Sequence, residues 1–295
     1  MKRTEREEKG VKSGLNRFTG MLAIPFLFAW LNLPAGANPR LATKLEIGQF
    51  LNSTTCVVVE DGINAFNLFV REAVEDHWEI TEYEFIDLQE FEARRHDPSY
   101  SFLMLIKGAY DKDPRGVSYD FITLVLGNET GEISEMPELV TLPLAYSDDP
   151  APDYGFAVPA IVNFIQHHVR KLQERRLLIA ILGLKYHHFG KDFEDKTLLL
   201  NESFMAPGVD SREEIEAVYP YDFRLVTLDQ IRKKVDAEAD STLFLFHLGP
   251  SQESSAGQCF EMIFDTGGRL LYYRYRDVTN EDPDGFTEGD FRRIM

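Results

Sequence analysis

Cysteine is scarce in this chain: Cys56 and Cys259 are the two present among 295 residues. Two thiols build neither a disulfide scaffold nor a multi-thiolate zinc site. Basic residues are also in deficit, 31 against 49 acidic, for a formal net charge of −18. That balance argues against binding a nucleic-acid backbone, which needs a basic patch. No apolar run reaches membrane length: Met21–Leu31 has eleven residues, where a bilayer-spanning helix needs about 20. There is no Gly-x-Ser-x-Gly elbow, no Cys-x-x-Cys, no His-Glu-x-x-His and no Gly-rich phosphate loop. What is present is core-forming material: 44% hydrophobic and 12% aromatic residues, which excludes a disordered or low-complexity chain.

The N-terminus reads as an address. Lys2, Arg3, Arg6, Lys9, Lys12 and Arg17 outnumber Glu5, Glu7 and Glu8. The apolar stretch MLAIPFLFAWL follows, is broken by Asn32-Leu33-Pro34, and leads to Ala35-Gly36-Ala37. A basic region, a short apolar core and a small-x-small site form the order of a secretory signal peptide, here residues 1–37. The remaining 258 residues carry 25 basic and 46 acidic side chains, a net −21. Such a chain is repelled by anionic lipid headgroups. The expectation is a periplasmic or secreted protein with no stable membrane insertion after cleavage. Cys56 and Cys259 lie in the strand-like runs TTCVVVE and GQCFEMIFD and are expected to be buried free thiols.

Behind the leader, two stretches repeat one order of elements. In the first (38–150), a short helix at 41–52 precedes the β-branched run Thr54–Glu60 and a helix over Phe66–Trp78. A strand at Tyr83–Ile86 then leads into a helix capped by Asp87. Strands follow at 101–109, 118–126 and 139–146, the last carrying Pro143, a sign of an edge. In the second stretch (190–295), strand 196–201 is followed by the capping-box helix 211–219 and strand 223–226. A helix beginning near Asp229 and strands at 242–248, 259–265 and 269–276 complete the repeat, and helix 286–295 closes the chain. The pattern predicts an α/β protein of two related β-α-β-α-β-β-β units with mixed sheets and an internal duplication. A helical connector (151–189) joins them, with Val158, Ile161, Ile165, Val169 and Leu172 on one stripe and a second helix over 175–189.

Chemistry is harder to find. The pairs His167-His168 and His187-His188 lack metal-ligand spacing, because adjacent helical residues point about 100° apart. They read as core and surface histidines, and no metal or organic cofactor is expected. Asn280–Gly285 has the start of a calcium loop, but Phe291 stands where a bidentate Glu is required, so it reads as a polar turn. In open α/β sheets ligands sit beyond the carboxyl ends of strands. Glu60, Asp61, Asn64, Asp87 and Lys107 occupy that position in one half, and Asn201, Glu202, Ser203, Asp229 and His247 in the other. Turn formation and capping account for many of them. Of these, Glu60, Asp61, Asn64 and Lys107 are the candidate ligand-binding residues. His247 with Asp229 or Glu202 is the candidate catalytic group, and Lys107 and His247 fall at comparable strand ends. Tyr272, Tyr273 and Tyr275 are a candidate aromatic binding patch.

The runs TTCVVVED, AVEDHWEITEYEFIDLQEF, SFLMLIKGAYDK and YDFITLVLG resemble a family of uncharacterised exported proteins of Bacteroidetes bacteria. The likeness continues through MPELVTLPLAYSD, KTLLLNES, YPYDFRLVT and DPDGFTEGDF. It implies an exported destination and carries over no functional residue. Taken together these features lead to the expectation of an exported, non-enzymatic binding or structural protein of the cell envelope, with an envelope protein or peptide as partner. The alternative is a periplasmic hydrolase using His247. Intact mass and N-terminal sequencing of the protein exported by its host are expected to show a chain beginning at Asn38; a mature chain that retains Met21–Leu31 refutes cleavage.

Overall fold

The computed structural model describes residues 27–28, 40–62, 64–109, 116–130, 132–179, 186, 188–250 and 257–295, with backbone alone at 27–28 and 175–179. The leader therefore lies outside the described residues except for Leu27–Phe28, a two-residue strand (β1) paired antiparallel with Gly108 and Ala109. Among the described residues no helix is long and apolar enough to cross a membrane.

The first unit begins with α1 (Lys44–Phe50), whose N-terminus is closed by a Thr43–Glu46 capping box. Then come β2 (Thr54–Val58), α2 (Ala65–His77), β3 (Tyr83–Ile86) and α3 (Leu88–Arg94), the last capped by Asp87. Strands β4 (Tyr100–Ala109), β5 (Ser118–Leu126) and β6 (Glu138–Tyr146) complete it. The strand order is β3-β2-β4-β5-β6. Strands joined through helices run parallel, and the hairpin strands run antiparallel. Pro143 lies on the edge strand β6, where a missing amide costs nothing on the open side.

The connector differs from its expected form. Helix α4 runs unbroken over Val158–Ile179, because no Gly and no Pro beyond its first turn interrupts it. Tyr186 and His188 are not helical; their backbones hydrogen-bond to Tyr273 and Leu271 of the second unit.

The second unit repeats the first. It comprises α5 (Lys191–Glu194), β7 (Thr197–Leu200), α6 (Arg212–Val218), β8 (Phe223–Leu225), α7 (Leu228–Asp236), β9 (Thr242–Leu248), β10 (Gln258–Asp265), β11 (Leu270–Asp277) and α8 (Glu288–Ile294). Its order is β8-β7-β9-β10-β11, with the same parallel and antiparallel pairings as the first sheet. The registers agree residue by residue. Thr54 N–H donates to Ser99 O at 3.0 Å, and Thr197 N–H to Ser241 O at 2.9 Å. Four residues earlier, Phe50 and Phe193 are both fully buried. One proposed correspondence changes: Asp87 caps α3, but α7 is capped by Thr227, with Asp229 exposed in its first turn.

Helix α4 packs against α1, α2 and β6 of the first unit and α7 of the second. Phe156, just before it, meets Phe204, Phe244 and Phe246, and Phe164 meets Phe264 at 5.9 Å. Gly268, at φ +83°, lets the β10–β11 turn lie on the helix; a Cβ there would come within 2.5 Å of Ala160 O. Buried Gln166 donates to His77 O at 2.8 Å and accepts from Glu79 N–H and Ile80 N–H, so the groups left open after α2 are satisfied. Tyr119 and Tyr146 of the first sheet reach Gln258 N–H and Gln258 O of the second, at 3.1 and 2.5 Å.

His168, on the buried side of α4, has Nδ1 2.9 Å from the Tyr186 hydroxyl. Burial pushes its pKa down to about 3, with Lys171 adding to the effect. The unfolded chain takes up a proton near pH 6.5 and the folded chain does not, so the contribution of this group is constant above pH 6.5 and falls as pH drops toward 3. Between pH 6.5 and 5 the loss from this one group is about 2 kcal/mol. Denaturant titrations across that range are expected to show that lowering the pH costs the wild type more stability than it costs His168→Phe, by that amount; equal slopes would remove His168 as the source.

Candidate functional site

The sequence candidates separate into two places. In the first unit, Asn64 caps α2 by accepting from Asn67 N–H at 2.7 Å, and its amide donates to Glu60 Oε2 at 2.9 Å. Lys107 lies opposite Asp120 across β4 and β5. Glu60 is raised above the usual carboxylate range by partial burial and by Asp120, with Lys107 opposing. Asp61 is exposed beside Gly62 in a turn. The structure thus brings Glu60, Asn64 and Lys107 together, but capping and turn formation occupy Asn64 and Asp61.

In the second unit, His247 Nε2 is 3.2 Å from Asp284 Oδ1. The recorded carboxylate beside the imidazole is therefore Asp284, in place of Asp229 or Glu202. Both of those are exposed, one in the first turn of α7 and the other in a short 3-10 turn after β7. Asn201 and Ser203 bond to one another in that turn. Tyr272 and Tyr273 are buried and Tyr275 is 37% exposed, so the three do not form an exposed patch: the strand turns alternate side chains to opposite faces, and both faces are covered at 272 and 273.

Around His247 lies a group of charges. The ladder places His247 opposite Glu261, and Glu261 opposite Arg274, in one row across β9, β10 and β11. Arg276 Nη2 is 3.3 Å from Glu261 Oε1, and Arg276 also donates to Asp282 O and Gly285 O. Arg274 pairs with Asp290 of α8, which further accepts from the Tyr272 hydroxyl at 2.9 Å and from Thr287. The turn Asn280–Gly285 thus supplies counter-ions: Asp282 faces Arg276 at 3.2 Å and Asp284 faces His247. Gly249 makes room, since a Cβ there would meet Asp284 Oδ1 at 2.1 Å. Gly285, at φ +97°, presses on Ala206, where a Cβ would come within 2.5 Å of the amide nitrogen.

Glu261 is fully buried, and burial with Asp290 nearby pushes its pKa up to about 8, against the pull of Arg276 and Arg274. Burial alone would raise Asp290, but hydrogen bonds from Thr287 and the Arg274 charge hold it below the usual range. Cys259 Sγ lies 3.7 Å from Glu261 Oε1, and burial beside that carboxyl pushes the thiol well up, so it is a poor nucleophile. Cys56 is likewise buried and free, raised to about 11 by burial and Glu84. Among the described residues, no three His, Cys, Asp or Glu side chains converge to hold a metal ion. His167 is half-buried, His188 pairs with Asp192 at 2.9 Å, and His187 lies outside the described residues.

The first unit shows what this row of charges replaces. Its matching ladder is Leu105, Ile122 and Leu142, all packed in the core. His247 therefore corresponds to Leu105, and Lys107 corresponds to Gly249, two residues farther along than the sequence comparison placed it. Asp284, Arg274, Arg276 and Asp290 were not among the sequence candidates. A lone Glu inside the apolar strand CFEMIFD, and arginines alternating in RYR, were the available signals. No family model, no curated protein sequence and no solved structure matches the chain.

Replacing a buried charge row by apolar residues of similar shape is often neutral, whereas removing one partner of a buried pair costs about 3–5 kcal/mol. The double variant His247→Leu with Glu261→Ile is thus expected to keep the wild-type unfolding free energy within about 1 kcal/mol, since it installs the first unit's own residues. Arg274→Leu, which strands buried Asp290, is expected to cost about 3 kcal/mol. Urea denaturation of both variants checks the contrast, and a double variant as damaged as Arg274→Leu would show that the charges serve the fold.

Proposed function

We propose that this chain is an exported, non-enzymatic binding protein of the cell envelope, and that its second unit does the binding. The observation that carries the reading is the substitution of His247, Glu261 and Arg274 for Leu105, Ile122 and Leu142 at matching ladder positions. The first unit forms the same ladder with an apolar row, so the strand order and register do not by themselves call for charge at these positions. Buried charges are costly, and their presence where an apolar row suffices points to use. The chemistry is that of holding: the neighbouring thiol and the Tyr272 hydroxyl are both pushed far from ionisation, and the arginines are engaged by carboxylates. Export rests on the order of charge, apolar core and Ala35-Gly36-Ala37 and on the resemblance to exported Bacteroidetes proteins. Cleavage after Ala37 would remove β1, while β4 keeps β2 and β5 as partners. The matching strand order and register support an internal duplication, after which one copy kept an apolar row and the other acquired charge.

A second reading, a hydrolase, is favoured by the 3.2 Å approach of His247 to Asp284, which would orient the imidazole as a base. The two readings part in one comparison of the mature protein with His247→Ala. Binding predicts that an immobilised wild-type chain retains a reproducible envelope protein or peptide that the variant loses, with no turnover in a broad esterase, peptidase and glycosidase screen. Turnover that disappears in His247→Ala overturns the proposal in favour of the hydrolase.

A further inference from the structure

We propose that the patch around Glu261 is a binding site for a primary ammonium group; the inference rests on the second unit being the binding unit. Three polar side-chain atoms of this patch are buried and without a hydrogen-bond partner, His247 Nδ1, Glu261 Oε2 and Arg276 Nε, and Asp284 Oδ1 is buried with the His247 imidazole 3.2 Å away. The side chains of His247 and Arg276 are each 6% exposed, and that of Glu261 not at all. Such atoms are costly to leave unpaired. They belong to one neighbourhood, since His247 and Glu261 are direct ladder partners, Arg276 touches Glu261, and Asp284 touches His247.

The chemistry of these atoms selects the ligand. Glu261 Oε2 is an acceptor. With the imidazole proton on Nε2 toward Asp284, Nδ1 is a second acceptor. Arg276 Nε supplies the lone donor. A guest that offers several N–H groups therefore fits better than one that offers oxygens. Charge points the same way. Arg274 and Arg276 face three carboxylates, Glu261, Asp282 and Asp290, and a fourth, Asp284, lies against His247. A bound cation would offset the excess, and the raised pKa of Glu261 is the response expected of a carboxyl in a site short of positive charge. An ammonium has three donors arranged around one charge. The patch comes nearest to solvent beside the Asn280–Gly285 turn, where the side chains of Asp282 and Asp284 are 45% and 37% exposed.

Thermal unfolding of the full-length mature chain tests this with methylammonium chloride, against sodium chloride, tetramethylammonium chloride and sodium acetate at equal ionic strength. A saturable rise in Tm of several degrees with methylammonium alone is expected. It should vanish in the double variant His247→Leu with Glu261→Ile, weaken at least tenfold in affinity in the isosteric Glu261→Gln, and persist in Glu213→Gln on the exposed side of α6. Nα-acetyl-lysinamide separates two sources of the group: a matching rise means that a lysine side chain of a peptide reaches the site, and none means a small free amine. Equal shifts with sodium or tetramethylammonium, or no shift with methylammonium, overturn the proposal. A shift with acetate that is lost in the same variants also overturns it, while leaving a binding site in the second unit intact.

Discussion

From Val158 to Val169, helix α4 has no exposed residue, and the arrangement of both units follows from covering it. The first unit supplies α1, α2 and β6; the second supplies α7, the β10–β11 turn and a phenylalanine-rich face. Full burial of each large side chain contributes about 2 kcal/mol, so neither unit is indifferent to losing the helix. A connector that could have been a tether is a shared part of the core.

The two units meet α4 from opposite sides of equivalent sheets. In the first, the ladder Leu105–Ile122–Leu142 belongs to the same core cluster as α4. In the second, the matching ladder faces away, under α8 and the turn 280–286, while Phe244 and Phe264 on the other face look to Phe156 and Phe164. The same position in the unit thus lies in the middle of the molecule once and near its surface once. At the peripheral copy, Asp282, Asp284 and Asp290 are delivered by the segment that ends the chain.

Much of the fold was legible because its signals are local. Alternation and β-branching marked the strands, Asp87 and the Ser211–Glu214 box marked helix starts, and equal spacing marked the repeat. The break expected between two connector helices is absent, because the apolar run Leu177–Leu182 suits a helix wherever it starts; α4 runs through to Ile179, and the non-helical state of Tyr186 and His188 follows from pairing with β11, a contact distant in sequence. The site was legible in part. His247 was visible as a polar residue at a strand end, but Asp284 is brought to it by the gap at Gly249, a non-local contact. Arg274 and Arg276 looked like an exposed alternation until α8 covered them. Tyr272 and Tyr273 misled for the related reason that a strand reading cannot tell a solvated face from a covered one.

The placement of Gly268 against α4 bears on how the chain acquires its structure. Helix α4 emerges with one side able to pack at once on α1 and α2, while its other side waits for residues near the C-terminus. The contacts that finish it are therefore distant in sequence and slow to close. Until they form, Phe156 and Phe164 are exposed on a half-built molecule, the kind of intermediate that aggregates. A chain that crosses a membrane unfolded would meet this interval on the far side, where the C-terminal hairpin acts as the last fastening rather than an appendage.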